Sequence, residues 1–262
     1  MTCAFATLLA STSALLSSSA LVHPRRSKVL PTCCIASCAD DHAALLERCQ
    51  SAFSHLELDT FAAERASGYV SELLRYNERT NVYSKSAYEK LPFHVADSLT
   101  LAARIREASP KGVLDLGSGS GLPSVLIACV NPDIPVYAVE SKSRKTRFLG
   151  KAGKALSLDN YCPLTQNVNE LARSWCFDVD IVTAKAFKPL PDVGPIGRRC
   201  ISCDATMLVP ISEAQVSEFD LSEEQLERRG EAFIYYREVI GASHGTAQRK
   251  LISIDAARDA RL

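Results

Sequence analysis

The sequence predicts an α/β fold whose centre is a strand, a glycine-rich turn, a helix and a second strand. An apolar run at residues 113–116 breaks into alternating glycines at 117–121, as expected where a buried strand turns sharply into a helix. Residues 122–129 are apolar and compatible with a helix, and the apolar run 136–139 predicts a second buried strand that ends at Glu140. Two strands joined in this way form one βαβ unit.

Two amphipathic helices are predicted before this unit. Apolar residues recur at helical spacing in both segments: Leu45, Leu46, Cys49, Phe53 and Leu56, then Phe61, Tyr69, Val70, Leu73 and Leu74. The segment 77–81 is polar and turn-prone, and residues 93–99 begin another helix that leads to the first strand. We therefore predict a helical amino-terminal extension over residues 40–108 and a second domain over 109–262.

Four further strand candidates follow the βαβ unit. Residues 162–164 form a short one, and residues 178–184 form a longer one that ends at Lys185. Residues 207–209 and 251–254 complete the predicted sheet.

The first 39 residues have the composition of an organellar transit peptide, and we expect them to be disordered. They contain no Asp or Glu, are rich in Ser and Thr, and carry Arg25, Arg26 and Lys28. A secretory signal would place its positive charge before the apolar stretch, whereas residues 1–10 are uncharged. Because arginines are few, the leader favours a plastid, with the mitochondrion as the alternative.

Composition narrows the class of protein. The chain has 262 residues, 47% of them hydrophobic, which fits one globular domain and a leader. It carries 30 basic and 30 acidic residues, and loss of the three basic leader residues would leave 27 against 30. Any contact with nucleic acid must therefore come from a local patch. Serines interrupt the apolar runs of the leader, so no span of roughly 20 apolar residues is present and no membrane partner is expected.

The six cysteines beyond the leader are predicted to be free or buried thiols. Cys200 and Cys203 have the one suggestive spacing, but neither a second pair nor closely spaced histidines lie nearby. No metal site is expected.

The glycine loop predicts a nucleoside ligand. Gly117, Gly119 and Gly121 let the backbone approach a ligand closely, next to the free N–H groups of a helix start. Leu122 stands where the third spaced glycine of a pyrophosphate-binding fold would fall, which argues against a dinucleotide. Glu140 lies where an acid can accept hydrogen bonds from both ribose hydroxyls; the alternative is an ordinary solvated strand end. Asp115 could orient the loop through backbone N–H groups or face a cationic ligand, and the sequence leaves both open.

Two other groups of residues are candidates for function. His94 and Asp97 are three apart and share a helical face, either as site residues or as capping and hydrogen-bonded structural groups. Residues 142–154 carry six basic side chains and no acid, and four of them form one helical face, which we call the basic ridge: Arg144, Arg147, Lys151 and Lys154. This ridge suits a phosphate backbone or, alternatively, is a solvated helix face.

Taken together, these residues resemble the RsmG/GidB family, S-adenosylmethionine-dependent methyltransferases that modify N7 of a guanine in small-subunit ribosomal RNA. The resemblance runs from about Leu58 to Leu190. It rests on five motifs in order: 77–81 (N-x-x-x-N), 94–98 (family H-I-L-D-S), 114–123, 144–149 and 184–187. It implies a class I methyltransferase fold, with a mostly parallel sheet, helices on both faces and an amino-terminal helical extension.

The resemblance also implies a set of site residues. For the cofactor, S-adenosyl-L-methionine, they are Asp115, Gly117, Ser118, Gly119, Gly121, Leu122, Glu140, Val168, Asn169 and Lys185. Val168 and Asn169 match the pair beside the adenine. His94, Asp97 and Lys185 are the catalytic candidates, with His94 and Asp97 shaping a guanine pocket, and the basic ridge docks the RNA.

The chain departs from the family pattern at three places. Asn169 replaces the commoner acid, and Lys185 replaces an arginine, which loses the planar fork for bidentate binding. Residues 209–211 replace an aromatic-Lys-Gly segment.

The sequence therefore predicts an organellar guanine-N7 methyltransferase that acts on small-subunit ribosomal RNA or a pre-ribosomal subunit, as a monomer. N7 of neutral guanine already carries a lone pair, so in-line transfer needs positioning but no general base. Because of the departures, a non-catalytic RNA-binding assembly factor with the same fold is the alternative. A nucleotide-linked oxidoreductase is disfavoured by the glycine spacing.

Overall fold

The computed structural model describes residues 33–243 and 249–254. Three long helices form the amino-terminal layer: α1 (Cys33–Phe53), α2 (Thr60–Asn77) and α3 (Leu91–Ala108), with a 3₁₀ helix at Lys85–Lys90 before α3. Helix α2 begins where the Asp59 side chain accepts a hydrogen bond from the Ala62 N–H at 2.7 Å, a standard amino-terminal cap. The predicted helical extension is confirmed.

Helix α1 crosses the boundary that we predict between leader and extension. It begins at Cys33, so it includes residues 33–39 of the predicted leader, and the boundary at residue 40 and the disorder before it stay predictions. The remaining leader, residues 1–32, lies outside the described residues. Import into an organelle stays a prediction.

The strands are β1 (Val113–Leu116), β2 (Val136–Glu140), β3 (Tyr161–Thr165), β4 (Trp175–Phe177), β5 (Ile181–Thr183), β6 (Ala205–Ile211), β7 (Leu226–Arg229), β8 (Phe233–Ile240) and β9 (Lys250–Ile252). The main sheet has seven of them in the order β3-β2-β1-β5-β6-β8-β7. Strands β1, β2, β3, β5 and β6 are parallel to one another, β8 is antiparallel to β6, and β7 is antiparallel to β8.

Helices cover both faces of this sheet. They are α4 (Ser124–Val130), α5 (Ser143–Ala155), α6 (Val168–Ser174), α7 (Leu190–Cys200) and α8 (Glu213–Glu218), with a 3₁₀ turn at Glu223–Gln225. One core cluster joins the amino-terminal layer, α4 and α5 to one face, and the other joins α6 and α7 to the opposite face. The mostly parallel sheet with helices on both faces is therefore confirmed.

Two strand predictions need correction. Residues 251–254 were expected in the main sheet, but β9 pairs with β4 in a separate two-stranded sheet. The main sheet is completed instead by the β7–β8 hairpin, which the sequence analysis missed. Strand β5 is also shorter than the predicted 178–184. An apolar run indicates a local extended conformation but not its partner, and β7 has no buried residue that would give it an alternating pattern.

Within the described residues, no helix is long and apolar enough to cross a membrane. The six cysteines that the structure describes are free thiols, and five of them are buried. Cys203 alone among these six is partly exposed. No group of three metal-ligating side chains was found in this part of the chain.

Candidate cofactor and substrate site

The glycine loop between β1 and α4 depends on backbone that other residues rarely adopt. Gly117, Gly119 and Gly121 have φ angles of +73°, +58° and +96°. A Cβ on Gly117 would lie 2.2 Å from the Phe187 ring, and one on Gly121 would lie 2.6 Å from Val125. The glycines are thus required by conformation at all three positions and by packing at two of them.

Glu140, at the end of β2, fastens this loop. Its side chain is buried, and Oε2 accepts a hydrogen bond from the Gly119 N–H at 3.0 Å while Oε1 accepts one from the Lys142 N–H at 2.8 Å. The carboxylate therefore ties the glycine loop to the start of α5. A carboxylate has further lone pairs, so these bonds leave acceptor capacity for a ribose hydroxyl.

A cavity of about 460 Å³, which we call the cofactor cavity, opens beside the loop. It brings together Gly117, Glu140, Val168 and Asn169, which the resemblance implies as cofactor contacts. Val168 is buried, whereas the exposed Asn169 accepts a hydrogen bond through Oδ1 from Arg199 at 2.8 Å. The structure thus places the predicted adenine pair at this cavity; their binding role stays a prediction.

Two more cavities continue from the cofactor cavity. The central cavity, about 250 Å³, is lined by Gly117–Ser120, Leu122, His94 and Lys185. The outer cavity, about 400 Å³, is lined by His94, Asp97, Lys185, Phe93 and residues 209–211 of β6. Ala186 lines all three cavities. The predicted catalytic candidates therefore lie between the glycine loop and the outer cavity.

Lys185 and Asp97 form a buried ion pair at this junction. Lys185 Nζ lies 2.5 Å from Asp97 Oδ2 and also donates to the His94 carbonyl oxygen at 3.4 Å. The two side chains are only 14% and 6% exposed. Breaking such a pair leaves an uncompensated buried charge, so the turn after β5 is anchored to helix α3.

His94 is held uncharged at neutral pH. Burial, and then the nearby Lys185 charge, lower the pKa of its imidazole, although Asp97 opposes the shift. Its Nδ1 is buried and has no hydrogen-bond partner in the described part of the chain. An unsatisfied buried nitrogen beside two cavities is available to a ligand.

Ala186 has a strained backbone, with a φ angle of +51°. This conformation separates its two neighbours: the Lys185 side chain contacts α3, and the Phe187 ring packs against Gly117. A single turn thus contacts both the substrate candidates and the cofactor loop. Phe187 lies in the 184–187 motif, but nothing in the sequence indicated this packing.

Asp115 does not orient the glycine loop. It is fully buried, and neither carboxylate oxygen has a hydrogen-bond partner among the described residues. Ser118 and Ser124 lie close by, but Ser118 Oγ donates to the Asp115 carbonyl oxygen and Ser124 Oγ lies 3.1 Å from the Tyr161 hydroxyl. Glu140 makes the loop contact instead, so the interpretation through backbone N–H groups is wrong. Asp115 is not among the residues that line the three cavities, and a cationic ligand beside it stays a prediction.

Burial raises the pKa of Asp115 to about 6, and the nearby charge of Glu140 acts in the same direction. Its cross-strand neighbour Thr183 also has a buried hydroxyl without a partner in the described chain. Both residues are fully buried and lie beneath the glycine loop rather than among the cavity-lining residues.

Two buried tyrosines donate hydrogen bonds to the backbone of the site. The Tyr69 hydroxyl on α2 donates to the Ser120 carbonyl oxygen of the glycine loop at 2.9 Å. The Tyr235 hydroxyl on β8 donates to the Asp97 carbonyl oxygen at 3.2 Å. Neither contact was predicted, because each joins segments distant in sequence.

The basic ridge is an exposed face of α5, as predicted: Arg144, Arg147, Lys151 and Lys154 are all exposed. Lys145 belongs to the same basic run but is half-buried and lines the cofactor and central cavities. This division was not predicted from the sequence, although Lys145 is out of register with the ridge. Binding of RNA by the ridge stays a prediction.

Asn77, the first asparagine of the N-x-x-x-N motif, has a structural role. It is buried, and its Oδ1 accepts hydrogen bonds from the Val82 and Tyr83 N–H groups at 2.9 and 3.2 Å. Its Nδ2 donates to the Tyr83 carbonyl oxygen. The motif therefore shapes the segment whose residues 82–84 line the central cavity.

Comparison with known proteins places the chain in a protein family. The family model GidB, described as rRNA small subunit methyltransferase G, matches residues 62–236. Ribosomal RNA small subunit methyltransferase G of Paracoccus denitrificans is 31% identical over 191 residues, which cover 69% of this chain and 96% of that protein. The protein of the same name from Halorhodospira halophila is 34% identical over 155 residues, covering 58% of this chain and 71% of that one.

Among solved structures, a SAM-dependent methyltransferase from Aquifex aeolicus aligns with a TM-score of 0.41 and 12% identity. The alignment covers 53% of this chain and 89% of that chain.

Proposed function

Because the chain belongs to the rRNA small subunit methyltransferase G family, we propose that it methylates N7 of a guanine in the small-subunit ribosomal RNA of an organelle. The fold is that of the class I methyltransferases, and S-adenosylmethionine is the cofactor. The observation that supports the proposal most is the row of three cavities. They share Ala186 and run from the glycine loop to His94, Asp97 and Lys185.

The residues around the cofactor cavity fit S-adenosylmethionine. Gly119 leaves open space beside the loop, where a Cβ would have no heavy atom closer than 3.7 Å, and Glu140 retains acceptor capacity for the ribose. Asp115 is a buried carboxylate without a partner in the described residues, as suits a cationic ligand. When bound, the cofactor supplies a methyl group on a positively charged sulfur, which is an activated donor.

The substrate side of the site positions the guanine and does not need to transfer a proton. N7 of guanine needs no deprotonation, so the neutral His94 is not required as a base, and its Nδ1 is free to contact the substrate. Lys185 is charge-paired with Asp97, so this pair adds little net positive charge beside a cationic donor. The expected gain comes from holding N7 in line and excluding water.

The basic ridge is the proposed contact to the RNA backbone. Helix α5 begins directly after the segment that Glu140 fastens, so the ridge flanks the cofactor cavity. The substitutions Arg147→Ala and Lys151→Ala should weaken RNA binding. Each lost contact to a single-strand phosphate should also reduce, by about 0.7, the magnitude of the slope of log K for binding against log salt concentration. Arg173→Ala, an exposed arginine on α6 across the sheet, is the matched control.

The test uses the purified full chain. Calorimetric titration should detect S-adenosylmethionine binding that Gly117→Arg abolishes, and labelled methyl groups should then appear in N7-methylguanosine of unmethylated organellar small-subunit RNA. Absence of cofactor binding would overturn the proposal. Binding without transfer to either naked RNA or small subunits would favour a non-catalytic assembly factor. The motivation for that second candidate is Lys185 in place of arginine and the lysine-free segment 209–211.

The organelle is part of the proposal and is supported by the leader composition. A fluorescent protein fused behind residues 1–39 should enter plastids, and entry into mitochondria would favour the alternative. We also propose that the enzyme is a monomer, which light scattering at working concentration would check.

A further inference from the structure

Phe93, at the edge of the outer cavity, is exposed in an unusual setting. Its side chain is 49% exposed although it precedes the buried turn of α3 that carries Asp97. Single exposed apolar residues are common, and Phe61 on α2 is another, with Arg65 lying over its ring at 3.8 Å. Phe93 differs because it lines a cavity that also contains His94 and Lys185.

Other rings hold Phe93 in place without covering it. The Phe233 ring of β8 lies 5.6 Å away between centroids at an angle of 38°, and the His94 ring lies 5.7 Å away at 70°. These are ordinary distances for aromatic pairs. Phe93 is thus a supported aromatic surface that half faces solvent at the mouth of a cavity.

The outer cavity is suited to a nucleobase. It has a volume of about 400 Å³ and shares His94, Lys185 and Ala186 with the central cavity next to the glycine loop. A base whose ring nitrogen is to reach the centre must leave its stack and enter from the outer side. Unstacked bases are commonly held against aromatic side chains, because every base has a π face.

We propose that Phe93 is the stacking surface for the unstacked guanine that enters the outer cavity. This inference rests on the proposed function for the identity of the base, but it predicts a binding event that is measurable without methyl transfer. Phe93 then contacts substrate only, and the cofactor cavity, which Phe93 does not line, is unaffected by its substitution.

The probe is guanosine 5′-monophosphate, titrated into the full chain saturated with S-adenosylhomocysteine. Phe93→Ala should weaken binding roughly five- to hundredfold, the range found for lost base stacking. Phe93→Leu keeps apolar bulk without a π face and should weaken it similarly, whereas Phe93→Trp should stay within about twofold of the wild type. Phe61→Ala, the matched exposed aromatic outside the cavity, should leave binding unchanged.

Two controls accompany the titration. The thermal midpoint and the affinity for S-adenosylhomocysteine should be unchanged in every variant, which shows that the fold and the cofactor cavity are intact. The inference is overturned if the wild type does not bind the nucleotide, if Phe93→Ala binds it as well as the wild type, or if Phe93→Leu equals the wild type.

Methyl transfer separates this inference from the proposed function. If nucleotide binding depends on Phe93 but the wild type transfers no methyl group to small-subunit RNA, the proposed reaction is contradicted and the stacking role of Phe93 is retained. If the wild type transfers the methyl group and Phe93→Ala changes neither kcat nor the KM for RNA, the stacking role of Phe93 is contradicted and the proposed reaction is retained.

Discussion

The cofactor half and the substrate half of the site are built in different ways. The glycine loop of the cofactor half is backbone from one stretch of chain, residues 113–140, with glycines at positive φ and a carboxylate that fastens them, while residues 166–169 line the cavity opposite. The substrate half is made of side chains from α3, the turn after β5, and β6. A site made of local backbone leaves a compact motif in the sequence, whereas a site made of distant side chains does not.

The halves meet at the turn 185–187. Lys185 bonds to α3 on the substrate side, and Phe187 packs on Gly117 on the cofactor side. The strained Ala186 between them keeps both contacts in place. Variants on each side therefore show whether the two halves are separable.

The largest effect is expected at the buried ion pair. Asp97→Ala leaves Lys185 buried without its partner and should lower the free energy of unfolding by about 3–5 kcal/mol, measured by urea denaturation. Removing both charges in Asp97→Ala with Lys185→Met should recover part of that loss. Glu107→Ala breaks the exposed pair with Arg229 and should cost about 1 kcal/mol or less. Equal losses for Asp97→Ala and Glu107→Ala would contradict the buried anchor.

The next effect concerns Asp115 in the cofactor half. Because its pKa is raised to about 6 in the fold from an ordinary 3.8, ionisation destabilises the fold as pH rises between these values, and the penalty is nearly complete by pH 7. Relative to Asp115→Asn, the wild type should therefore lose roughly 2.5 kcal/mol of stability from pH 4 to pH 7.

Bound S-adenosylmethionine should reduce this loss, because a cation favours the ionised carboxylate. Its affinity for the wild type should accordingly rise from pH 5 to pH 7, by up to about tenfold, and Asp115→Asn should remove the rise. The exposed Asp133→Asn is the control. A cofactor affinity with the same pH profile in Asp115→Asn would rule out a cation at this carboxylate.

A smaller effect separates packing from strain in the glycine loop. Gly230→Ala introduces a side chain at a φ of +59° with no heavy atom within 4 Å, so it should cost about 1 kcal/mol of stability. Gly117→Ala adds the clash with Phe187 and should also weaken cofactor binding about tenfold. Phe187→Ala in the Gly117→Ala background should relieve the added loss, as a double-mutant cycle would measure. Additive losses would show that Phe187 does not limit the loop.

The smallest effect distinguishes the two halves through their buried tyrosines. Tyr69→Phe removes the hydrogen bond to the glycine loop and should raise the KM for S-adenosylmethionine about fivefold, with the KM for RNA unchanged. Tyr235→Phe removes the bond to the Asp97 carbonyl and should change kcat and the KM for RNA instead. If both variants changed the same parameter, the site would behave as one unit rather than two halves.

The sequence predicted the local parts of this molecule. The βαβ unit, the glycine loop, the end of β2 at Glu140 and the exposed ridge on α5 all follow from patterns within a few residues. The pairing of strands was harder to predict, because β9 lies outside the main sheet and the β7–β8 hairpin completes that sheet. Strand pairing and packing depend on contacts far apart in the chain, which periodicity does not encode.

The candidate site divides in the same way. The sequence motifs identified His94, Asp97 and Lys185 as candidates. They did not indicate that Lys185 bonds to Asp97 or that Tyr235 donates a hydrogen bond to the same helix. Lys145 was grouped with a surface run although it faces the cavities. Asp115 was assigned two roles, and its unsatisfied burial, visible only in three dimensions, removed one of them.

The most direct measurement of the central claim is the N7-methylguanosine content of organellar small-subunit ribosomal RNA from cells with and without the protein. One methylated guanine should be lost without it and restored by the wild type and by Gly230→Ala, whose added Cβ contacts no other residue. Gly117→Arg should not restore it. Unchanged N7-methylguanosine in cells that lack the protein would contradict the account.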